Sequence, residues 1–171
     1  CPVGYSAIGG QTLNPYGRKI FETGGSSSGS GVTVAANFAV AAVGTETSGS
    51  ILSPSSQNSV VGLKPTIGLL SRTGIVPISS TLDTPGPMTK SVTDNAIFLS
   101  AMLGEDPEDI TTKGNNQQIN YLEGLNSASL KGKRLGAIKQ LLSDSIYNAT
   151  IEKLKNAGAE IIEFDPPQVR L

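Results

Sequence analysis

Residues 24–50 read GGSSSGSGVTVAANFAVAAVGTETSGS, in which two turns of small residues enclose an apolar segment. The apolar residues predict a buried helix over 32–40 and a short buried strand over 41–45. A helix followed by a strand can fold back on itself, so we expect the turns around Ser26 and Ser50 to lie at one end of a sheet. Because backbone N–H groups stay accessible in turns of such small residues, this pair of turns is the candidate site.

The remaining sequence predicts an α/β fold. Ser91 can cap a helix over 91–103, with Asp94 at the third helical position of a capping box. The later sequence predicts, in order, a strand at 134–139, a helix from Ser143 or Asp144 to about Asn156, a stop at Gly158 and a strand at 160–164. Strand–helix–strand order favours parallel pairing, so we expect a mixed, partly parallel sheet sandwiched by helices.

Two further stretches contain many residues that favour turns. Residues 1–25 are rich in glycine, proline and asparagine and predict irregular chain. Residues 67–90 are rich in glycine, proline, serine and threonine with short apolar runs, and no helix or strand is assigned to them. Between them, 60–63 predicts a short core strand.

Composition limits the classes of protein that the chain can belong to. Its 171 residues, 37% hydrophobic and 16% charged, fit a soluble globular domain or a sizeable part of one. The net charge of −1 without a basic stripe argues against a nucleic-acid surface, and no apolar run is long enough for a transmembrane helix. The first residues lack an initiator Met and a signal-peptide pattern, so we expect a piece of a longer protein, cytoplasmic by default.

The absence of histidine restricts the chemistry most strongly. Ser-His-Asp and Cys-His catalysis are excluded within the chain, as is a histidine-based zinc site, and no metal or cofactor is predicted. The single cysteine, Cys1, cannot form an internal disulfide and is interpreted as incidental. A hydrolytic base here must be a lysine, a carboxylate, a tyrosine or another serine.

Sequence motifs of other catalytic or phosphate-binding sites match this chain less well. The G-x-S-x-G match at 25–29, centred on Ser27, requires a histidine partner, so we interpret it as a decoy unless that histidine lies elsewhere. The small-residue loop 24–31 lacks the G-K-[ST] of a phosphate loop, and no lysine follows a serine at S-x-x-K spacing. A pair of flexible linkers is the remaining alternative, and the core-forming segment between the two turns argues against it.

Four motifs, at 24–30, 44–51, 61–66 and 82–88, together resemble the amidase signature family. The resemblance covers about residues 4–112, followed by a polar linker at 113–129 and a strand–helix–strand unit at 130–171. It implies that residues 1–171 are a fragment of a single amidase domain whose N- and C-terminal parts are absent. The motif text is most similar to the peptide-amidase branch.

The resemblance also implies catalytic roles. Ser50 matches the nucleophile, and Ser26 matches the serine that follows a cis peptide bond and relays a proton to a lysine. The backbone N–H groups that match the oxyanion hole belong to Thr47, Ser48, Gly49 and Ser50. The catalytic lysine matches a position upstream of residue 1, since Lys19 lies too close to Ser26 and Lys64 belongs to a structural motif. We therefore predict that the chain alone is inactive.

The implied reaction is hydrolysis of a carboxamide or peptide amide, without nucleic-acid or membrane partners. Two alternatives stay open: the glutaminase component of a tRNA-dependent amidotransferase, which implies protein and tRNA partners, and a non-catalytic scaffold. Arg72 and Asp83 are expected to hold loops around the site rather than to react. Ser48 stands where the family often has Gly or Asp. Nothing in the sequence predicts the oligomeric state.

Overall fold

The computed structural model describes residues 3–115 and 119–167. Within these residues the chain forms two compact units, which are divided between Leu125 and Asn126. Cys1, interpreted above as incidental, lies outside the described residues, as does the 116–118 part of the predicted linker.

The described residues form short strands and helices. In order they are β1 (Tyr5–Ser6), β2 (Gly10–Gln11), α1 (Ser28–Ala35), β3 (Ala41–Glu46), α2 (Leu52–Gln57), β4 (Val61–Gly62), β5 (Thr84–Thr89), α3 (Val92–Met102), a 3-10 helix (Ile110–Thr112), α4 (Tyr121–Asn126), β6 (Arg134–Ile138), a 3-10 helix (Lys139–Ser143), α5 (Ser145–Asn156) and β7 (Glu160–Phe164).

The first unit is built on an antiparallel sheet in the order β3-β5-β4. The pairing of β3 with β5 runs from Ala41 opposite Thr89 to Glu46 opposite Thr84. On the other side of β5, only the two residues of β4 pair with it. All six residues of β5 are buried, so this strand is the centre of the core.

Helices cover both faces of this sheet. A Cβ atom added at Gly31 of α1 would lie 3.3 Å from Met88 Cε, so the Met88 side chain faces α1. The next side chain, Thr89, accepts a hydrogen bond on Oγ1 from Asn95 Nδ2 of α3 at 3.2 Å. Because successive side chains of a strand point to opposite faces, α1 and α3 lie on opposite faces. The predicted α/β class, with helices on both sides of a sheet, is confirmed, although this sheet is antiparallel.

Strand β5 was not predicted from the sequence, because TPGPMT contains two prolines, which are rare inside a sheet. The Pro87 carbonyl accepts a hydrogen bond from Leu63 N–H at 3.1 Å, so the backbone of Pro87 faces β4. Backbone groups alternate along a strand, so Pro85 also faces that side, whereas Gly86 faces β3. The N–H groups that both prolines lack would therefore point toward β4, which pairs with β5 over only two residues, so few hydrogen bonds of the sheet are lost.

Helix α1 was predicted four residues too late in the chain. It begins at Ser28, inside the small-residue loop, and ends at Ala35. Asn37 adopts the left-handed conformation, with φ 62°, which stops the helix. Phe38 and Val40 beyond it are more than four-fifths exposed, so the last part of the predicted buried helix is neither helical nor buried.

The predictions for the later helices are confirmed. Ser91 Oγ accepts a hydrogen bond from Asp94 N–H at 3.1 Å at the start of α3. In the second unit β6 and β7 pair in parallel, with α5 between them in sequence, and Gly158 follows α5 with φ 101°. A short helix, α4, lies in the segment predicted as a polar linker, and the division of the chain at 113 and 130 stays a prediction.

Candidate active site

The two small-residue turns meet in the first unit. Ser27 N–H donates to the Ser50 carbonyl at 3.2 Å. The Ser27 hydroxyl accepts from Thr45 N–H at 3.0 Å and donates to the Thr45 carbonyl at 3.1 Å. Ser26 and Ser50 line one small cavity beside this junction. The sequence-based expectation that the turns share one end of the sheet is therefore confirmed.

The turn that carries Ser26 requires glycine at position 24. Gly24 has φ +62°, and a Cβ atom there would lie 2.7 Å from both Pro54 N and Ser53 C. Its carbonyl accepts a hydrogen bond from Ser28 Oγ at 2.5 Å. The Gly25–Ser26 peptide bond is cis, as the resemblance implies. The exposed Ser26 is thus held between a packed glycine and the first turn of α1.

The turn that carries Ser50 is closed by a buried carboxylate, Glu46, which is 3% exposed. Glu46 Oε2 accepts hydrogen bonds from Ile51 N–H at 2.7 Å and Leu52 N–H at 2.9 Å. Burial alone would raise the pKa of Glu46, but the N–H groups of Leu52, Ile51 and Gly49 and the charge of Lys64 outweigh it, so the pKa lies below its ordinary value. Glu46 is therefore ionised at neutral pH.

The backbone of this turn leaves donors available. Within residues 3–115, no protein acceptor is found for the N–H groups of Thr47, Ser48 and Ser50, and the N–H group of Gly49 helps to lower the pKa of Glu46. Gly49 has φ +84°, a conformation that favours glycine. A turn with several unpaired N–H groups can stabilise an oxyanion that develops beside it.

Asp83 connects this turn to the cavity wall. Its Oδ1 accepts from the Thr47 hydroxyl at 2.5 Å, and its Oδ2 accepts from the N–H groups of Ile78 and Ser79 at 2.7 and 2.8 Å. The Thr47 hydroxyl is the main cause that lowers the pKa of Asp83. Ile75, Val76 and Ile78 line the cavity with the two serines. Asp83 thus fixes Thr47 and the wall relative to each other.

Arg72 anchors the far end of the same loop. Its Nε and Nη2 atoms form a bidentate ion pair with Asp109 at 3.0 and 3.1 Å, and Nη1 donates to the Ser80 carbonyl at 2.6 Å. Hydrogen bonds from Arg72 hold the pKa of Asp109 well below its usual range. Arg72 and Asp83 therefore hold loops around the cavity, as expected, each through its own partners.

The remaining candidates take structural positions. The Ser27 hydroxyl is occupied by the Thr45 backbone, which agrees with the interpretation of its motif as a decoy. Lys64 Nζ donates to the Leu82 carbonyl at 3.1 Å. In 3–115 and 119–167, no group of three or more His, Cys, Asp or Glu side chains is placed to hold a metal ion. None of the helices in these ranges has the length and hydropathy to span a membrane.

The sequence analysis missed the role of Glu46. Glu46 entered the sequence analysis only as part of the motif at 44–51. The available signal was an acidic residue at the end of a predicted core strand, directly before a turn, where a buried charge requires partners.

Comparison with known proteins places this geometry in a family. The family model Amidase matches residues 3–171. A probable amidase of Arabidopsis thaliana is 46% identical over 164 residues, which cover 94% of this chain and 31% of that protein. A glutamyl-tRNA(Gln) amidotransferase subunit of Roseobacter denitrificans is 42% identical over 176 residues, which cover 96% of this chain and 35% of that protein.

A solved structure of a similar protein has the same fold over the matched residues. The native peptide amidase of Stenotrophomonas maltophilia is 46% identical and superposes with a TM-score of 0.88, covering 96% of this chain and 35% of that enzyme. The chain spans about a third of the length of these relatives. Both the sequence match and the shared fold lead to one conclusion: the chain belongs to the Amidase family, the amidase signature enzymes.

Proposed function

We propose that the full-length protein carrying this chain hydrolyses carboxamide bonds through an acyl-enzyme on Ser50. Ser26 relays the proton, and the backbone N–H groups of Thr47, Ser48, Gly49 and Ser50 form the oxyanion hole. The base is a lysine that the family resemblance assigns to a position upstream of residue 1. The substrate class is a small carboxamide or a peptide amide.

One observation carries this proposal: Ser26 and Ser50 line the same cavity, in turns that are hydrogen-bonded to each other. In the part of the chain that the structure describes, the N–H groups of Thr47, Ser48 and Ser50 lack a protein acceptor.

In the proposed reaction, Ser50 Oγ attacks the carbonyl carbon while its proton passes through Ser26 to the neutral lysine. The carbonyl oxygen becomes an oxyanion, which the turn stabilises. The C–N bond then breaks, and the proton moves from the lysine to the departing nitrogen, which leaves as ammonia or an amine. Water hydrolyses the resulting serine ester and regenerates the Ser50 hydroxyl.

The second candidate is a glutaminase that supplies ammonia to a tRNA-dependent amidotransferase. It is supported by the 42% identity to the glutamyl-tRNA(Gln) amidotransferase chain of Roseobacter denitrificans. The same two serines would act on glutamine, and the full-length protein would then have protein and tRNA partners. A non-catalytic scaffold, which keeps the turns without the lysine, is the third possibility.

The test compares wild type, Ser50→Ala and Ser26→Ala forms of the full-length protein on a peptide amide and on glutamine. Loss of Ser50 should lower kcat by about 10³-fold or more, and loss of Ser26 by about 10²-fold or more. An alkyl fluorophosphonate, which reacts with activated serines and releases fluoride, should label Ser50 in wild type, with the labelled peptide identified by mass spectrometry.

Each candidate has its own outcome. Faster turnover of glutamine than of peptide amides would favour the glutaminase. Full activity of the Ser50→Ala form, or label on Ser27 instead of Ser50, would contradict the proposed nucleophile. A folded wild-type protein that neither hydrolyses an amide nor reacts with the probe would indicate the scaffold.

A further inference from the structure

Glu46 is a buried carboxylate beside the candidate nucleophile, and the proposed reaction does not use it. It lies at the end of β3, is 3% exposed and lines the same cavity as Ser26 and Ser50. Burying a charge is costly unless several donors compensate for it, so its retention here requires an explanation. The hydrogen-bond donors suggest a role in the site, because they are the backbone N–H groups of the two residues that follow Ser50.

The side chain of Glu46 closes the Ser50 turn into a ring. Its backbone is held in the sheet opposite Thr84. Its Oε2 atom accepts from Ile51 N–H at 2.7 Å and from Leu52 N–H at 2.9 Å. The four residues from Thr47 to Ser50 are therefore enclosed between a strand and a carboxylate contact, which restricts the direction of their N–H groups.

A second carboxylate holds the other end of this turn. Asp83 accepts the Thr47 hydroxyl and also binds the N–H groups of Ile78 and Ser79, which lie in the cavity wall. The turn is thus fixed before Ser50 by Asp83 and after it by Glu46. Of these two contacts, the Glu46 contact reaches the residues adjacent to Ser50.

The charge of Glu46 is part of this arrangement. Its pKa is held below the ordinary value, despite burial, by the Leu52, Ile51 and Gly49 N–H groups and by Lys64. Hydrogen bonds to an ionised acceptor are about twice as strong as neutral ones. A glutamine side chain keeps one carbonyl oxygen that can accept from the Ile51 and Leu52 N–H groups, but as a neutral acceptor it binds them more weakly, which would loosen the ring.

We propose that Glu46 is a positioning residue, which orients the Ser50 hydroxyl and the neighbouring N–H groups for attack on the amide carbonyl. The inference rests on the proposed function of Ser50. A misplacement of about 1 Å in an active site can cost about 100-fold in rate, and removal of one oxyanion donor costs about 10²–10³-fold. Glu46 therefore acts on the transition state rather than on substrate affinity.

The test uses Glu46→Gln in the full-length protein, with Asp144→Asn as the matched control. Asp144 Oδ1 also accepts two successive N–H groups at the start of a helix, from Ile146 at 3.0 Å and Tyr147 at 2.8 Å, but Asp144 does not line the cavity. For each form, the rate and the final extent of fluorophosphonate labelling are measured, together with kcat and KM for a peptide amide and the Tm.

The expected result is a labelling rate and a kcat about 10- to 100-fold lower in Glu46→Gln, with KM within about 2-fold and the same final extent of labelling. Asp144→Asn should label at the wild-type rate. A structural role alone would lower the Tm and the final extent while each folded molecule still reacts at the wild-type rate, and that result would overturn the inference.

A second variant covers the case in which Glu46→Gln does not fold. Glu46→Asp keeps the charge but ends one methylene short of the Ile51 and Leu52 N–H groups, so its labelling should be slowed at least about 5-fold. A wild-type rate in Glu46→Asp would overturn the inference by itself. Absence of label on Ser50 in the wild-type protein would instead refute the proposed function, and the role of Glu46 would be refuted with it.

Discussion

At the residue scale, the candidate site depends on a glycine position where no side chain fits as well as on the serine side chains that line the cavity. Gly24 packs directly against the backbone at the start of α2 and has a positive φ, so no side chain fits there. Two residues further on, Ser26 lines the cavity that it shares with Ser50. The glycine therefore determines how closely the two turns approach.

We predict that Gly24→Ala destabilises the full-length protein by about 2–4 kcal/mol, because it adds a backbone clash to the cost of a left-handed alanine. Gly74→Ala is the control, since Gly74 has φ +79° and open space around its Cα atom. It should cost only about 1 kcal/mol. Thermal and denaturant unfolding measure both values, and equal losses in the two variants would contradict the packing argument.

At the element scale, long loops rather than helices surround the cavity, and carboxylates attach them. Asp109 precedes a 3-10 helix and binds Arg72 in the loop that leads to the cavity wall. Asp109 is 6% exposed and Arg72 is 19% exposed, so water screens this pair little. The loop from Arg72 to Ser80 is therefore attached at both ends, by Asp109 and by Asp83.

We predict that Asp109→Asn lowers the free energy of unfolding by about 2–4 kcal/mol at pH 7, because it leaves the Arg72 guanidinium without its charged partner. Asp165→Asn is the control: Asp165 forms an exposed ion pair with Lys139 at 3.3 Å, and its loss should cost less than about 1 kcal/mol. Denaturant unfolding of the full-length protein measures both losses, and a loss in Asp109→Asn as small as that of the control would contradict the anchoring role.

The pH dependence of the Asp109 effect has a definite sign. The folded-state pKa of Asp109 is depressed, so its stabilisation is complete above the unfolded value of about 3.9 and is lost as the pH falls toward the folded value. The difference in stability between wild type and Asp109→Asn should be constant from about pH 5 to 8 and shrink below about pH 4. A difference that grows on acidification would contradict this assignment.

At the scale of the whole molecule, the chain contains two of the three residues of the proposed triad. It spans about a third of the length of its relatives. Acyl transfer requires a base that accepts the Ser50 proton, and the family resemblance assigns this role to a lysine upstream of residue 1. In residues 3–115, Lys64 is engaged by the Leu82 carbonyl, and it is not among the residues that line the cavity of the two serines.

We predict that residues 1–171 produced alone hydrolyse a peptide amide at least about 10³-fold more slowly than the full-length protein, because the base is missing. Circular dichroism of the isolated chain would establish whether it is folded when the assay is made. Turnover of the isolated chain at the full-length rate would show that the base lies within these residues.

The sequence alone determined the family, the α/β class, the capped helix α3, the parallel β6–β7 pair and the pairing of the Ser26 and Ser50 turns. These features depend on local signals: hydrophobic periodicity, capping residues and motif text are each contained in a short stretch of chain. The absence of histidine likewise needed no structure, since it excludes chemistry by composition.

Only the tertiary structure decided which strand is central and what holds the site. Strand β5 contains Pro85 and Pro87, and it is tolerated because its missing N–H groups face the short β4, a fact that depends on pairing with a distant segment. The partners of Asp83 and Arg72 depend equally on contacts between distant loops. For Glu46, only the fold shows that its charge is buried and stabilised by hydrogen bonds from the N–H groups after Ser50.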